Sequence, residues 1–205
     1  MTEPTLDVIC IGRSSVDLYG GQVGGRLEDM SSFAKYVGGS PTNISIGCSR
    51  LGLNSALVTR VGDEHMGRFI REQLVREGVD TSHVKTDPDR LTALVILGIR
   101  DGERFPLVFY RENCADMAIE AADMDADFIA SARAVVVTGT HFSTDRVAGA
   151  SFTAMKMASQ SDRLVAFDID YRPSLWALGG HDDGESRFAE SERVTAHLQT
   201  VLPYC

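Results

Sequence analysis

The sequence lacks several features that mark whole classes of protein. Its 205 residues include only four cysteines, and no two of them form a Cys-x-x-Cys pair. A disulfide framework or a zinc knuckle needs clustered sulfurs, so neither is indicated. No apolar run is long enough to span a bilayer, and the first ten residues lack a basic segment followed by an apolar core. We therefore expect a cytoplasmic protein with no membrane partner.

Basic charge is also scarce. Twenty Lys and Arg residues face 29 Asp and Glu residues, which gives a formal net charge of −9. This balance argues against an extended electrostatic footprint for DNA or RNA, so we expect no nucleic-acid partner. The composition, with 43% hydrophobic and 24% charged residues, is that of a globular protein. The length fits one domain or a shortened larger one.

The common phosphate-binding motifs are missing as well. No Gly-x-Gly-x-x-Gly string occurs, so the dinucleotide fingerprint is absent. Gly62 and Gly67 have the glycine spacing of a P-loop, but Arg68-Phe69 follows in place of Lys and Ser or Thr. The lysine that reaches phosphate and the hydroxyl that holds magnesium are both lacking there.

Short apolar runs alternate with segments of helical periodicity. Strands are predicted over 6–11, 56–61, 134–138 and 164–167, and helices over 65–77 and 148–159 and from Ser40-Pro41 onward. This alternation is typical of a layered α/β fold with a mainly parallel sheet. Two segments do not fit it. They are the Gly-rich interval 18–39 and a hairpin whose strands flank Asp101-Gly102, and together they predict a smaller β layer.

One segment combines several features of a ligand site, namely Gly38-Gly39-Ser40-Pro41-Thr42-Asn43. Two glycines before a helix allow backbone N–H groups to approach a polar ligand closely. Asn43 lies in the first helical turn, where its amide could bond to neighbouring hydroxyls. The alternative interpretation is a tight strand-to-helix turn in which Ser40 caps the helix.

This segment and its surroundings resemble the PfkB-type, ribokinase-like family of carbohydrate kinases. The matching residues, in chain order, are Gly12 to Asp17, Gly38-Gly39, Asn43, Leu51-Gly52, Val61-Gly62-Asp63 and Gly67. The resemblance covers essentially the whole chain. It implies a ribokinase-like αβα sandwich with a mainly parallel sheet, and a small β lid that closes over the sugar. The lid would comprise segments at about 13–37 and 91–111.

The resemblance also implies which residues bind the substrate. Asp17, Gly38, Gly39 and Asn43 would contact sugar hydroxyls, and Thr140 would line the sugar pocket. As alternatives, Asp17 could be only a turn former and Thr140 only the end of a strand.

Two arginines bear on the class of sugar. Arg111 and Arg172 each follow an apolar strand, and a planar guanidinium suits carboxylate or phosphate recognition. Either could instead be a surface salt bridge. Kinases of sugar acids within the family resemble this chain at both positions.

Within the family, three strings resemble most the kinases of 5-dehydro-2-deoxygluconate, a keto sugar acid of myo-inositol breakdown. The strings are YRENCADMAI, VVTGTHFS and DIDYRPSLW. The resemblance implies ATP and Mg²⁺ as cofactors and phosphorylation of the sugar's primary hydroxyl, and it leaves a homodimer through the lid open. Kinases of 2-keto-3-deoxygluconate or fructose, or a sugar-binding module without catalysis, are the alternatives.

The family's catalytic aspartate lies in a Gly-Ala-Gly-Asp motif, which does not occur here. We therefore expect residues 1–205 to be the N-terminal portion of one kinase domain, truncated at its C-terminal side, with the nucleotide-binding part absent. On this expectation the chain contains no catalytic residue and no metal site, and by itself it does not transfer phosphate. The alternative is that Asp168 or Asp170 serves as the base.

Three further side-chain groups receive structural interpretations. His141 is expected to pack at a strand end, and Asp63 to cap the helix that follows it. The acidic stretch 112–127 is expected to form a solvated face.

Overall fold

The computed structural model describes residues 4–102, 104–178 and 191–205. The strands, in chain order, are β1 Leu6–Ile11, β2 Ser15–Gly20, β3 Phe33–Gly38, β4 Ser55–Gly62, β5 Val84–Asp87, β6 Ala93–Leu97, β7 Leu107–Tyr110, β8 Ala132–Thr138 and β9 Leu164–Asp168. The α-helices are α1 Ser40–Arg50, α2 His65–Arg76, α3 Ala126–Ala130, α4 Asp145–Gln160 and α5 Glu192–Gln199.

The larger sheet has five strands in the order β5-β4-β1-β8-β9, and every pair in it is parallel. β1 lies at its centre. Because a parallel sheet is covered on both faces, its central strand is apolar where it is buried, as residues 8–11 of β1 are. Successive side chains of a strand point to opposite faces. Ile9 and Ile11 accordingly pack in a core with α4, whereas Val8 and Cys10 pack in a second core with α2. The predicted αβα sandwich is confirmed.

The second sheet has four strands in the order β3-β2-β6-β7. β6 and β7 form the antiparallel hairpin that the sequence predicts, and β2 joins them by pairing parallel to β6. The four strands lie within the segments expected for the lid, except that β3 ends at Gly38. Three residues, Gly12, Arg13 and Ser14, lie between β1 and β2 and join the two sheets directly.

Two local predictions are wrong. The N-cap of α2 is Glu64, not Asp63, because the Glu64 carboxylate accepts hydrogen bonds from the N–H groups of Met66 and Gly67. The acidic stretch is not a solvated face throughout. Asp116 and Asp123 are buried in it, since each carboxylate pairs with an arginine from another element.

A search of the described helices for a segment that is both long and apolar enough to cross a membrane finds none.

Candidate functional site

The candidate site lies where the carboxyl ends of β1, β8 and β9 meet the start of α1 and the second sheet. In open α/β sheets, ligands bind outside the carboxyl ends of the strands, and this edge is therefore the first place to look for one. The Ser40 hydroxyl donates to the Asp168 carboxylate over 2.7 Å and so ties α1 to the end of β9. The Thr42 hydroxyl donates to the Arg13 carbonyl over 2.9 Å and ties the same helix to the end of β1.

The two glycines before α1 allow the second sheet and the larger sheet to come together. Gly39 has a φ of +100°, and a Cβ there would collide with the carbonyl oxygen of Arg13. A Cβ on Gly38 would collide with the carboxylate of Asp17. Both glycines thus permit a close approach of protein groups, and the approach of backbone N–H groups to a ligand stays a prediction. Gly39, and not Ser40, is the N-cap of α1, so the alternative in which Ser40 caps the helix is wrong on that point.

Asp17 lies on β2 with its carboxylate turned toward Gly38. The Ser15 hydroxyl donates to it over 2.9 Å. Burial raises the pKa of Asp17, although the Ser15 hydrogen bond and the charge of Arg13 act in the opposite direction. Asn43 lies in the first turns of α1, and its side chain is exposed.

Thr140 and His141 follow the end of β8 and are fully buried. The Thr140 hydroxyl lies 3.1 Å from that of Thr138. Neither ring nitrogen of His141 has a hydrogen-bond partner in the described part of the chain. Burial, together with the charges of Arg111 and Arg13, lowers the pKa of His141 well below its ordinary value, so this imidazole is neutral. The prediction that His141 only packs at a strand end does not account for these two unsatisfied nitrogens.

Two arginine side chains are buried at the junction of the sheets. Arg111, just after β7, donates through Nε to Asp116 over 2.8 Å, and its Nη2 is buried without a partner among the described residues. Arg13, between β1 and β2, has its guanidinium 5.7 Å from the centre of the Phe109 ring. Its Nε and Nη1 are likewise buried and unpartnered. Burial, and secondly the charge of Arg111, lowers the pKa of Arg13 to about 10, so the Arg13 guanidinium stays cationic at neutral pH.

Arg172 differs from these two arginines. Its side chain is 53% exposed, and its Nη2 pairs with the Asp170 carboxylate over 2.9 Å. Asp170 is itself buried and has a φ of +30°, which is unusual for a residue with a side chain.

The structure brings most of the predicted residues together. Asp17, Gly38 and Gly39 adjoin one another, and Arg111 lies close enough to Arg13 for their charges to interact. Arg172 is connected to these residues through Asp170, with which it pairs and whose charge acts on Arg13.

Sequence reasoning missed Arg13 because an arginine is ordinarily a surface residue. No local signal could have found it, because residues that pack against it, such as Phe109, are distant in sequence.

No group of three or more His, Cys, Asp or Glu side chains within 4–102, 104–178 and 191–205 is arranged to hold a metal ion. We therefore assign Mg²⁺ to no residue of this chain.

A family model described as pfkB family carbohydrate kinase matches residues 5–184. The chain belongs to the pfkB family of carbohydrate kinases. This confirms the resemblance drawn from Gly38-Gly39, Asn43 and the later glycines.

A curated relative of this pfkB chain is the 5-dehydro-2-deoxygluconokinase of Geobacillus kaustophilus, which is 40% identical over 172 residues. The match covers 83% of this chain and 51% of the relative. The chain thus spans about half the length of the curated relatives it matches.

Two solved structures are similar to this pfkB chain. A PfkB protein from Polaromonas sp. JS666 is 30% identical, with a TM-score of 0.84, and the match covers 96% of this chain and 63% of that one. An uncharacterized sugar kinase from Pyrococcus horikoshii in complex with ATP is 28% identical, with a TM-score of 0.76. That match covers 83% of this chain and 55% of the other.

Proposed function

We propose that the protein carrying this chain phosphorylates the primary hydroxyl of a keto sugar acid, 5-dehydro-2-deoxygluconate, with ATP as the donor. The reaction would belong to myo-inositol breakdown in the cytoplasm. Family membership and the name of the Geobacillus relative support this assignment, and the ATP complex of the Pyrococcus neighbour supports the donor. The observation that carries the sugar-acid part is Arg111, a buried cation in the candidate site with an unsatisfied donor.

The hydroxyl-binding part of the proposed site comprises Asp17, Gly38, Gly39, Asn43 and Thr140. A carboxylate accepts hydrogen bonds from sugar hydroxyls, and an amide side chain can both donate and accept. The glycines matter because they let the Asp17 carboxylate and the Arg13 carbonyl come close to the start of α1. In this proposal the second sheet acts as a lid over the substrate.

The carboxylate would be bound by Arg111 and Arg172. Guanidinium groups bind carboxylates through two parallel hydrogen bonds, which makes them selective for planar anions. A homodimer through the second sheet also belongs to the proposal, since Phe33 and Tyr36 lie exposed on β3.

In the proposed reaction the hydroxyl oxygen forms a bond to the γ-phosphorus, and the bond from that phosphorus to the bridging oxygen of ADP breaks. A base accepts the hydroxyl proton. We assign no such base and no nucleotide contact to residues of this chain, whose part is to bind and orient the sugar acid.

The test is ATP-dependent phosphorylation by the protein that carries this chain, measured on 5-dehydro-2-deoxygluconate, 2-keto-3-deoxygluconate and fructose. We expect the highest kcat/KM on the first substrate. A higher value on either of the others would replace the proposed substrate, and binding without turnover on all three would indicate a sugar-binding module.

The 205-residue chain by itself is expected to bind the sugar acid and to release no ADP. Sugar-dependent ADP release by this chain, abolished by Asp170→Asn, would show that it contains a base after all.

A further inference from the structure

The junction between the two sheets holds two buried cations that the described residues leave unsatisfied. Arg13 is 8% exposed and Arg111 is 6% exposed. Nε and Nη1 of Arg13 and Nη2 of Arg111 are buried without hydrogen-bond partners. Buried polar groups almost always have partners, and an unpaired buried charge is far more costly than an unpaired neutral group. Three such donors at one place point to an anion that completes them.

The neighbours of Arg13 do not supply that anion. The guanidinium of Arg13 lies 5.7 Å from the centre of the Phe109 ring, a cation–π contact. Such a contact stabilises the positive charge, but it gives no acceptor to the N–H donors, which lie in the guanidinium plane. Asp17, Asp116 and Asp170 act on Arg13 through their charges. Each already has another partner, namely the Ser15 hydroxyl, Arg111 and Arg172 in that order.

The backbone of Arg13 is fixed within the proposed sugar site. Its carbonyl accepts the Thr42 hydroxyl and lies against Gly39. Arg13 therefore adjoins the same two-glycine segment whose other glycine lies against Asp17.

We propose that Arg13, together with Arg111, binds the carboxylate of the sugar acid, and that Arg13 is the main residue by which the site distinguishes sugar acids from neutral sugars. The inference rests on the proposed function. It differs from the pairing of Arg111 with Arg172, because Arg172 is half exposed and already paired with Asp170.

A carboxylate fits this site better than a phosphoryl group does. Three aspartates, Asp17, Asp116 and Asp170, act electrostatically on Arg13. These three carboxylates outnumber the two guanidinium groups, so each further negative charge on a ligand is opposed, and a ligand that carries several is disfavoured. A singly charged, planar carboxylate can instead use the unsatisfied donors of both guanidinium groups.

The experiment measures binding of two ligands to the chain by calorimetry, 5-dehydro-2-deoxygluconate and its primary amide, which has the same shape without the charge. The compared quantity is the ratio of the two dissociation constants. We expect Arg13→Met to weaken acid binding at least about 10-fold, as loss of a charge-assisted hydrogen bond does, and to change amide binding little. Arg172→Met should reduce the acid preference less. Arg133→Met, at the amino end of β8, controls for the loss of one positive charge.

A merely structural Arg13 would weaken both ligands equally, and this result would overturn the inference. If Arg13→Met shows no cooperative thermal transition, Arg13→Lys is used instead. This variant keeps the positive charge and loses the planar pair of N–H donors that binds a carboxylate. It should fold and show a reduced acid preference. A wild-type chain that binds acid and amide equally would overturn the sugar-acid function as well. A wild-type chain that prefers the acid, with an Arg13→Met variant that keeps the preference, would overturn only this inference.

Discussion

Asp17 connects the second sheet to the glycine segment through a single carboxylate. Its surroundings favour the neutral form, because burial raises the pKa of Asp17 above the ordinary value of 3.8. With its pKa raised, the Asp17 carboxylate becomes protonated, and so a weaker acceptor for sugar hydroxyls, at a higher pH than an ordinary aspartate does. The ionisation of this one residue therefore sets the acid limit of the proposed site.

We predict that affinity for the neutral amide of the sugar acid falls as the pH drops through the raised pKa of Asp17. In Asp17→Asn the affinity at pH 7 should be lower by about 2 kcal/mol, since a charged acceptor is lost, and it should change little with pH. Calorimetry at several pH values measures both effects. Asp127→Asn, at an exposed carboxylate, is the control. An Asp17→Asn variant with wild-type affinity would remove Asp17 from the site.

His141 gives a second prediction at the residue scale, this time for stability. The native state holds it neutral because burial, Arg111 and Arg13 lower its pKa, whereas the unfolded chain binds a proton near pH 6.5. The unfolded state thus binds more protons below that pH, and the free energy of unfolding should fall by up to about 1.4 kcal/mol per pH unit as pH decreases from 6.5. Urea unfolding between pH 5 and 7 measures this slope.

In His141→Gln this part of the slope should be absent, whereas His65→Gln, which changes an exposed histidine, should keep it. An unchanged slope in His141→Gln would mean that the imidazole is protonated in the native state.

At the scale of elements, Glu64 links α2 to β6. Its carboxylate accepts from Met66 and Gly67 at the start of the helix and from the Thr92 N–H, just before β6, over 3.2 Å. Although burial acts to raise it, a hydrogen bond with the Thr92 side chain, together with these N–H groups, holds the pKa of Glu64 below its ordinary value. One side chain therefore fixes both the beginning of a helix and the entry into the second sheet.

We predict that Glu64→Ala lowers the free energy of unfolding by about 2 kcal/mol, at the upper end of the effect of losing an N-cap. Asp63→Ala, one residue earlier and exposed, should cost less than about 0.5 kcal/mol. Denaturant unfolding of the two variants makes the comparison. Equal losses would mean that Asp63 shares the capping role.

Many of the helices and strands could be predicted from the sequence, and particular residues show why. Residues 8–11 are apolar because they lie at the centre of a parallel sheet, and the local run of apolar residues shows this directly. The sequence predicts β2 and β3 only as part of a β layer. Their residues find partners on the other strand, as Asp17 does with Tyr36, and a local pattern does not show which strands pair. The burial of Arg13 and His141 depends on elements that are distant in sequence, and no local pattern encodes it.

At the scale of the whole molecule, an ion-pair network joins the larger sheet to the segment that leads out of the second sheet. Arg60 on β4 donates through two nitrogens to Asp123, at 2.8 Å each, and Lys85 on β5 donates to the same carboxylate over 2.9 Å. Asp123 is buried, so its charge depends on these partners. The network therefore contributes to holding the site-forming parts in place.

We predict that Arg60→Met lowers the free energy of unfolding by about 2 to 4 kcal/mol, since it leaves Asp123 buried and only partly paired. The pair Arg50–Glu77 has similar geometry, with a 2.6 Å contact, but its arginine is 66% exposed. Arg50→Met should therefore cost less than about 1 kcal/mol. Urea midpoints of both variants test the contrast, and similar losses would show that burial of Asp123 does not matter.

The central position of β1 also has a consequence for biosynthesis. Val8 pairs with Ser55 on one side, but on the other side it pairs with Ala134. At 5–20 residues per second, one edge of this apolar strand stays unpaired for about 6 to 25 s while the ribosome adds the intervening residues. Nascent chains stalled before β8 should therefore be more sensitive to protease and bind chaperones more readily than chains stalled well after it. For a cell that makes this protein, the vulnerable interval is the translation of the residues between β1 and β8, which include the whole second sheet.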